Sequence, residues 1–260
     1  MMPQAMVRAM SEGQDNRETW FGDRRVGRAQ KTMLVRDVFS SVADKYDLMN
    51  DLMSVGIHRL WKGAMIDWLA PRAGQNVLDV GGGTGDIAFR ILERTRDTRI
   101  TVCDLTPAML TQGRDRAIDR GILAGIEWVA GNAEHLPFDD MRFDAYTIGF
   151  CLRNVADWDA ALREARRVLR PGGRFLCLEF SQVAIPALAK AYELYSFKVL
   201  PWLGQQVAGD RGTYQYLVES IRRFPNQETL AGMMAKAGFS QISYRNLSAG
   251  IAALHSGWRI

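Results

Sequence analysis

Three cysteines and three histidines are all that the 260-residue chain offers as soft or borderline metal ligands. Cys103, Cys151, Cys177, His58, His135 and His255 are scattered, with no C-x-x-C pair, so no metal site is expected. Each cysteine sits in or at the end of an apolar run, which reads as a reduced core thiol in a reducing, cytoplasmic compartment. No run of 18 apolar residues occurs, which excludes a membrane-spanning helix as the reading of any segment. Internal repeats and low-complexity linkers are also missing. Charge of one sign is scarcely in excess, with 33 basic against 29 acidic side chains. Residues 1–36 hold seven of the basic ones (Arg8, Arg17, Arg24, Arg25, Arg28, Lys31, Arg36) against four acids, Glu12, Asp15, Glu18 and Asp23. The remaining body is nearly neutral, so no nucleic-acid partner is expected. Residues 1–30, which lack the apolar segment of a signal peptide, read as a mobile basic tail.

What is present suffices for one large α/β domain over residues 31–260 with a well-buried core, since 47% of the chain is hydrophobic. From Asn76 onward short apolar runs alternate with helical patterns, the signature of a parallel sheet with crossover helices. The expected strands are Asn76 to Val80, Arg99 to Cys103, Ile126 to Ala130, Phe143 to Phe150 and Arg174 to Glu179, then Ser240 to Arg245 and Gly250 to Trp258 as a terminal hairpin. Helices are expected over Thr32 to Tyr46, His58 to Leu69, Asp157 to Arg170 (stopped by Pro171-Gly172-Gly173), Pro186 to Leu200 and Gln227 to Ala237. The expected regions are a helical lid and extension (31–70), a cofactor core (76–180), substrate-covering helices (182–225) and the end of the sheet (226–260).

The sharpest local signal is Val77-Leu78-Asp79-Val80-Gly81-Gly82-Gly83-Thr84-Gly85-Asp86, a strand emptying into a glycine turn that opens a helix. Glycines let a ligand approach the backbone closely at a nucleotide crevice. Asp86 stands where a dinucleotide fingerprint wants its third glycine, and the lysine of a phosphate loop is absent. Asp104 closes the next strand, where a carboxylate can take two hydrogen bonds from a ribose diol.

This loop resembles motif I of the class I S-adenosylmethionine-dependent methyltransferases. The resemblance implies a Rossmann-like fold with a seven-stranded, mostly parallel sheet ending in an antiparallel hairpin, and S-adenosyl-L-methionine as a cofactor that carries no phosphate. It implies that Gly81, Gly83 and Thr84 hold the methionine end, Asp104 the ribose, and Asn132 with Ala133 the adenine.

Two further segments point to the acceptor. Tyr46-Asp47-Leu48-Met49-Asn50, followed by Ser54, His58 and Trp61, and Arg167-Val168-Leu169-Arg170-Pro171-Gly172-Gly173, running on to Glu179-Phe180-Ser181, resemble the signatures of the UbiE-type ubiquinone and menaquinone biosynthesis C-methyltransferases. Leu152-Arg153-Asn154 also matches, whereas Gly149 replaces a serine that contacts the cofactor in many members. The resemblance implies methylation of a ring carbon of a polyprenylated quinol. Such a carbon attacks only after a neighbouring hydroxyl loses its proton. The implied catalytic set is therefore Arg153 stabilising phenolate, Asn154 holding a water, and Asp47 as another candidate base, with Tyr46, Asp47 and Asn50 as the expected lid over the cofactor. The apolar stretch Pro186 to Leu203 is the expected wall for the prenyl chain. The expected partners are the quinol, the membrane surface in passing, and a homodimer or a quinone-biosynthesis complex. Methylation of oxygen or nitrogen on a small molecule, and a catalytically silent adenosylmethionine-binding protein, remain open alternatives.

Overall fold

The computed structural model describes residues 17–42, 51, 54, 56–95, 97–183 and 211–260. Residues 17–30, expected in a mobile tail, instead start the fold. Strands β1 (Glu18–Phe21) and β2 (Arg24–Gly27) pair antiparallel across Gly22-Asp23. A glycine in the left-handed region at the first turn position suits a two-residue hairpin, and Gly22 has φ +56°. Helix α1 (Arg28–Ser41) follows, starting four residues before the expected Thr32. The excess positive charge of the N-terminal segment is thereby partly spent. Arg25 pairs with Glu18, Arg28 pairs with Asp157 at 2.5 Å, and Lys31 is buried.

The next elements are α2 (His58–Leu69), β3 (Asn76–Val80), α3 (Asp86–Arg94), β4 (Arg99–Asp104), α4 (Pro107–Asp119), β5 (Ile126–Ala130) and β6 (Phe143–Gly149). A short 3-10 turn, Leu152–Asn154, leads into α5 (Trp158–Val168) and β7 (Leu169–Phe180). Helices α6 (Arg211–Arg223) and α7 (Gln227–Lys236) precede β8 (Ser240–Leu247) and β9 (Ala252–Trp258). One sheet takes the order β5-β4-β3-β6-β7-β9-β8, parallel except for β9, which runs antiparallel to both its neighbours. Strand order reverses between β3 and β6, and ligands of open α/β sheets sit at the carboxyl ends of the strands at such a point.

The period of two along each strand divides the core. Val77, Ile100, Val102, Leu176 and Leu178 pack on one face, with Trp61 and Met65 of α2 and Ile87 of α3. Leu78, Val80, Cys103, Tyr146 and Ile148 pack on the other, with Leu162 of α5 and Leu230 of α7. Asp157 caps α5 by accepting from the Ala160 amide at 3.1 Å. That helix ends at Val168, before the expected Arg170. Leu169 turns extended (φ −72°, ψ 140°) and pairs with Phe143, so Pro171-Gly172-Gly173 lies in an irregularity of β7 rather than at a helix stop. Arg259 caps the free carbonyls of this helix end, donating to the oxygens of Arg166, Arg167 and Leu169. Among the described residues no helix is long and apolar enough to cross a membrane. Pro186 to Leu203 lies outside the described residues, as do the expected lid residues Tyr46, Asp47 and Asn50.

Candidate active site

The glycine loop is shaped by what surrounds it. Gly81 (φ +62°) and Gly83 (φ +50°) occupy the left-handed region, where a side chain is strained. A Cβ on Gly81 would overlap the Cys151 sulfur, and one on Gly83 would lie 2.9 Å from Met109 Cε. Asp104 reaches across from β4 to fix the loop. Its Oδ2 accepts from the Gly83 amide at 3.0 Å and its Oδ1 from the Thr106 amide at 2.8 Å. Burial pushes its carboxyl up to about 6, although the two amides oppose that. Asp79, two residues before the loop, is wholly buried and accepts from Thr147 Oγ1 at 2.7 Å, while its Oδ2 has no partner among the described residues. Burial raises this carboxyl to about 7.

A cavity of about 670 Å³ opens at the carboxyl ends of β3, β4, β5 and β6. Gly81, Asp104, Asn132, Ala133 and Asn154 all line it, so these sequence-predicted positions converge. Gly83 sits beside it through its bond to Asp104, whereas Thr84 is buried behind the loop and absent from its lining. Thr32, Val35 and Phe39 of α1 form another wall, which sequence reasoning missed. Their 3- and 4-residue spacing was the available signal. Among the described residues no lysine or arginine lines this cavity, and Glu134 and Asp104 are its charged groups. That chemistry suits S-adenosylmethionine, a nucleoside without phosphate whose other end is cationic.

The turn after β6 closes the cavity and corrects one expectation. Arg153 is buried, and its guanidinium donates to Glu179 at 2.7 Å and to the Phe150 carbonyl at 2.6 Å. Glu179 also accepts from the Arg153 amide at 3.2 Å. Burial raises the Glu179 carboxyl, against the pull of Arg153. Arg153 is thus the strut of the turn rather than a free cation facing an acceptor. Asn154 does face the cavity, and its Oδ1 accepts from Tyr216 Oη at 3.0 Å. Tyr216 in turn stacks on Phe21 of the hairpin, ring centres 4.1 Å apart. Glu179 lies within a segment that resembles the family, but its pairing with Arg153, like that of Tyr216 with Asn154, spans 26 and 62 residues respectively and has no local signature.

Two more predicted positions have structural partners. Asp86 joins α3 to α2, accepting from Lys62 at 2.8 Å and from Arg90 at 3.0 Å. Burial would raise its carboxyl, but these two cations outweigh it and hold it at about 2. Gly149 does not leave empty space where the serine would stand, because a Cβ there would meet Ile87 Cδ1 at 2.6 Å. Ile87 fills the position.

Comparison with known proteins agrees with this geometry. Residues 26–259 match the model of the ubiE/COQ5 methyltransferase family. The ubiquinone/menaquinone biosynthesis C-methyltransferase UbiE of Paracoccus denitrificans (strain Pd 1222) is 59% identical, over 94% of this chain and 98% of that protein. Its counterpart in Brucella abortus (strain S19) is 56% identical, over 92% and 90%. Among solved structures, a methyltransferase of Thermotoga maritima, described as a possible histamine N-methyltransferase, superposes with a TM-score of 0.62 at 21% identity, covering 87% of this chain and all of that one. The [4+2]-cyclase SpnF does so with 0.59 at 19%, covering 76% and 79%, so the fold alone does not select a reaction. With the family model spanning nearly the whole chain and relatives this similar along their full length, the chain belongs to the ubiE/COQ5 methyltransferase family.

Proposed function

We propose that the cavity bounded by Gly81, Asp104, Asn132 and Asn154 holds S-adenosylmethionine against the acceptor ring. The reaction is that of the family: C-methylation of a polyprenylated quinol in ubiquinone or menaquinone biosynthesis. The observation that carries the reading is Asp104, a half-buried carboxylate at the end of β4 in a cavity that, among the described residues, no basic side chain lines. Its carboxylate accepts the Gly83 and Thr106 amides and the Thr106 hydroxyl and still lines the cavity, where it can accept from the ribose hydroxyls. Asn132 and Ala133 flank the base. The bound cofactor supplies a methyl group on a sulfonium, which needs no further activation.

The chain's residues must therefore align the ring carbon, exclude water and favour loss of the hydroxyl proton. Val35, Phe39, Met109, Phe150 and Val155 give the cavity an apolar lining. Tyr216 occupies the oxygen of the Asn154 amide, which leaves its N–H groups to donate to the acceptor's ionising hydroxyl or to a water that takes its proton. Arg153, locked to Glu179, positions Asn154 rather than touching the ring. Asp47 remains the other candidate base. The long prenyl chain requires the protein to meet a bilayer surface in passing, which flotation with liposomes of anionic lipid would detect.

The test is methyl transfer from labelled S-adenosylmethionine to reduced demethylmenaquinone and to a reduced methoxy-polyprenyl-benzoquinone side by side. The expected product carries the new methyl on a ring carbon. Methylation on oxygen, or none on either quinol, would overturn the reading.

A further inference from the structure

The turn that carries Arg153 and Asn154 runs on through Val155 and Ala156 to Asp157, and no helix or strand holds this second half. The amides of Asn154 and Val155 bond back to the carbonyls of Cys151 and Leu152, and the Ala156 amide donates to Glu134 at 3.1 Å. The carbonyls of Val155 and Ala156 take their donors from the N-terminal segment, 124 and 137 residues away in sequence. Buried carbonyls need such donors, so the segment that supplies them also fixes the turn.

Residues 19–31 reach all four positions from 154 to 157. Lys31 of α1 donates its ammonium to the Val155 carbonyl at 2.8 Å, and Thr19 of the hairpin donates its hydroxyl to the Ala156 carbonyl at 3.2 Å. Arg28 donates to Asp157, the cap of α5, at 2.5 Å. Phe21 stacks on Tyr216, whose hydroxyl donates to Asn154. A second cavity of about 1300 Å³, its mouth included, lies under the hairpin, and Thr19, Trp20, Lys31, Arg153, Trp158 and Tyr216 are among its walls. Asn154, Val155 and Ala156 line the first cavity, as do Thr32, Val35 and Phe39 of α1. One helix therefore both walls the cofactor cavity and holds the turn that closes it.

Lys31 is the contact whose cost reveals its use. It is 3% exposed, and among the described residues no carboxylate lies within ion-pair distance of it. The Trp158 ring, 5.7 Å away, offers a cation–π contact that offsets only part of the burial, which lowers the ammonium to about 8 against the pull of Glu134. An apolar side chain would fill the same space at less cost. What the lysine adds is the donor to the Val155 carbonyl.

We propose that residues 19–31 clamp the turn 154–157, and that Lys31 is a positioning residue for methyl transfer, setting Asn154 against the acceptor through the Val155 carbonyl. The effect on the reaction rests on the function proposed above, whereas the clamp itself does not. Lys31 does not line the first cavity, so it acts only through the turn. Glu179 fixes the first half of that turn from the sheet by holding Arg153, and Lys31 fixes the second half from α1.

Hydrogen exchange of the full chain, read by mass spectrometry on peptides spanning residues 151–157, tests the clamp without any turnover. Lys31→Met, and Thr19→Val, which removes the hydroxyl and keeps the shape, should each speed exchange there about tenfold while β3 and β4 keep the wild-type rate. In the methylation assay with both quinols, Lys31→Met should lower kcat about tenfold and leave the affinity for S-adenosylhomocysteine unchanged. Thr19→Ser, which keeps the hydroxyl, should recover most of the rate that Thr19→Val loses. Urea unfolding at neutral pH should show no loss of stability in Lys31→Met, which separates positioning from a merely structural role. If Lys31→Met does not fold, the two Thr19 variants carry the comparison. Wild-type exchange in the turn of the Lys31→Met and Thr19→Val variants, an unchanged kcat despite a loosened turn, or a fall in kcat matched by an equal fall in nucleoside affinity would overturn the proposal. Faster exchange in a chain that methylates neither quinol would keep the clamp and lose the proposed function.

Discussion

The two cavities on either side of Leu152–Asn154 are built from opposite materials. The one beside β3 and β4 is made largely of backbone: a glycine loop, strand ends, and Asp104 with both oxygens already bonded to amides. The one under the hairpin is made of side chains drawn from α1, α5 and α6, with donors left over. A backbone-built site can be rigid and nearly satisfied while empty.

The largest effect should come from the strut between the cavities. Glu179→Ala leaves Arg153 buried and uncompensated, which should cost about 3 to 5 kcal/mol in urea unfolding. An unfolding free energy unchanged by that substitution would detach the turn from both sites. On the backbone-built side, Asp104→Ala should lower affinity for S-adenosylhomocysteine roughly a hundredfold by calorimetry, through loss of two charge-assisted hydrogen bonds.

The pH dependence of stability separates the two sides by sign. Asp79 has a carboxyl raised to about 7 by burial, so its contribution is full below its ordinary value near 3.8 and lost as pH rises through about 7. Lys31 is lowered to about 8, so the unfolded chain binds the extra proton between about 8 and the ordinary 10.5, and stability rises with pH across that window. Melting temperature followed from pH 5 to 10 should lose the fall in Asp79→Asn and the rise in Lys31→Met, each about 1 to 3 kcal/mol.

Smaller effects sharpen the contrast. Gly149→Ser should destabilise by about 1 to 2 kcal/mol because Ile87 occupies the space, and Ile87→Ala in the same chain should relieve the clash. Additive losses in a double-variant cycle would contradict that packing. Tyr216→Phe should reduce kcat about tenfold while leaving the affinity for S-adenosylhomocysteine unchanged, since only the hydrogen bond that orients Asn154 is lost.

The same division decides what could be read from the amino-acid order. Asn76 to Val80, Ile126 to Ala130 and His58 to Leu69 match their elements to the residue, because period and burial are local properties. Gly81 and Asp104 stand at the ends of recognisable strands, whereas the family resemblance points to Asn132 and Ala133, and all four line the first cavity. The hairpin of residues 18–27 was hidden by its charges, although Gly22-Asp23 between Phe21 and Val26 is a turn signal. Arg153 was placed at the right turn but given the wrong neighbour, since Glu179 meets it only after β6 and β7 pair. Lys31, Trp158 and Tyr216 carry no shared pattern along the chain, and only folding brings them together.

A crystal structure grown with S-adenosylhomocysteine tests the account most directly. The account predicts the ribose hydroxyls within hydrogen-bond distance of Asp104 and the base beside Asn132 and Ala133. A nucleoside outside this cavity, or a ribose that does not touch Asp104, would contradict it.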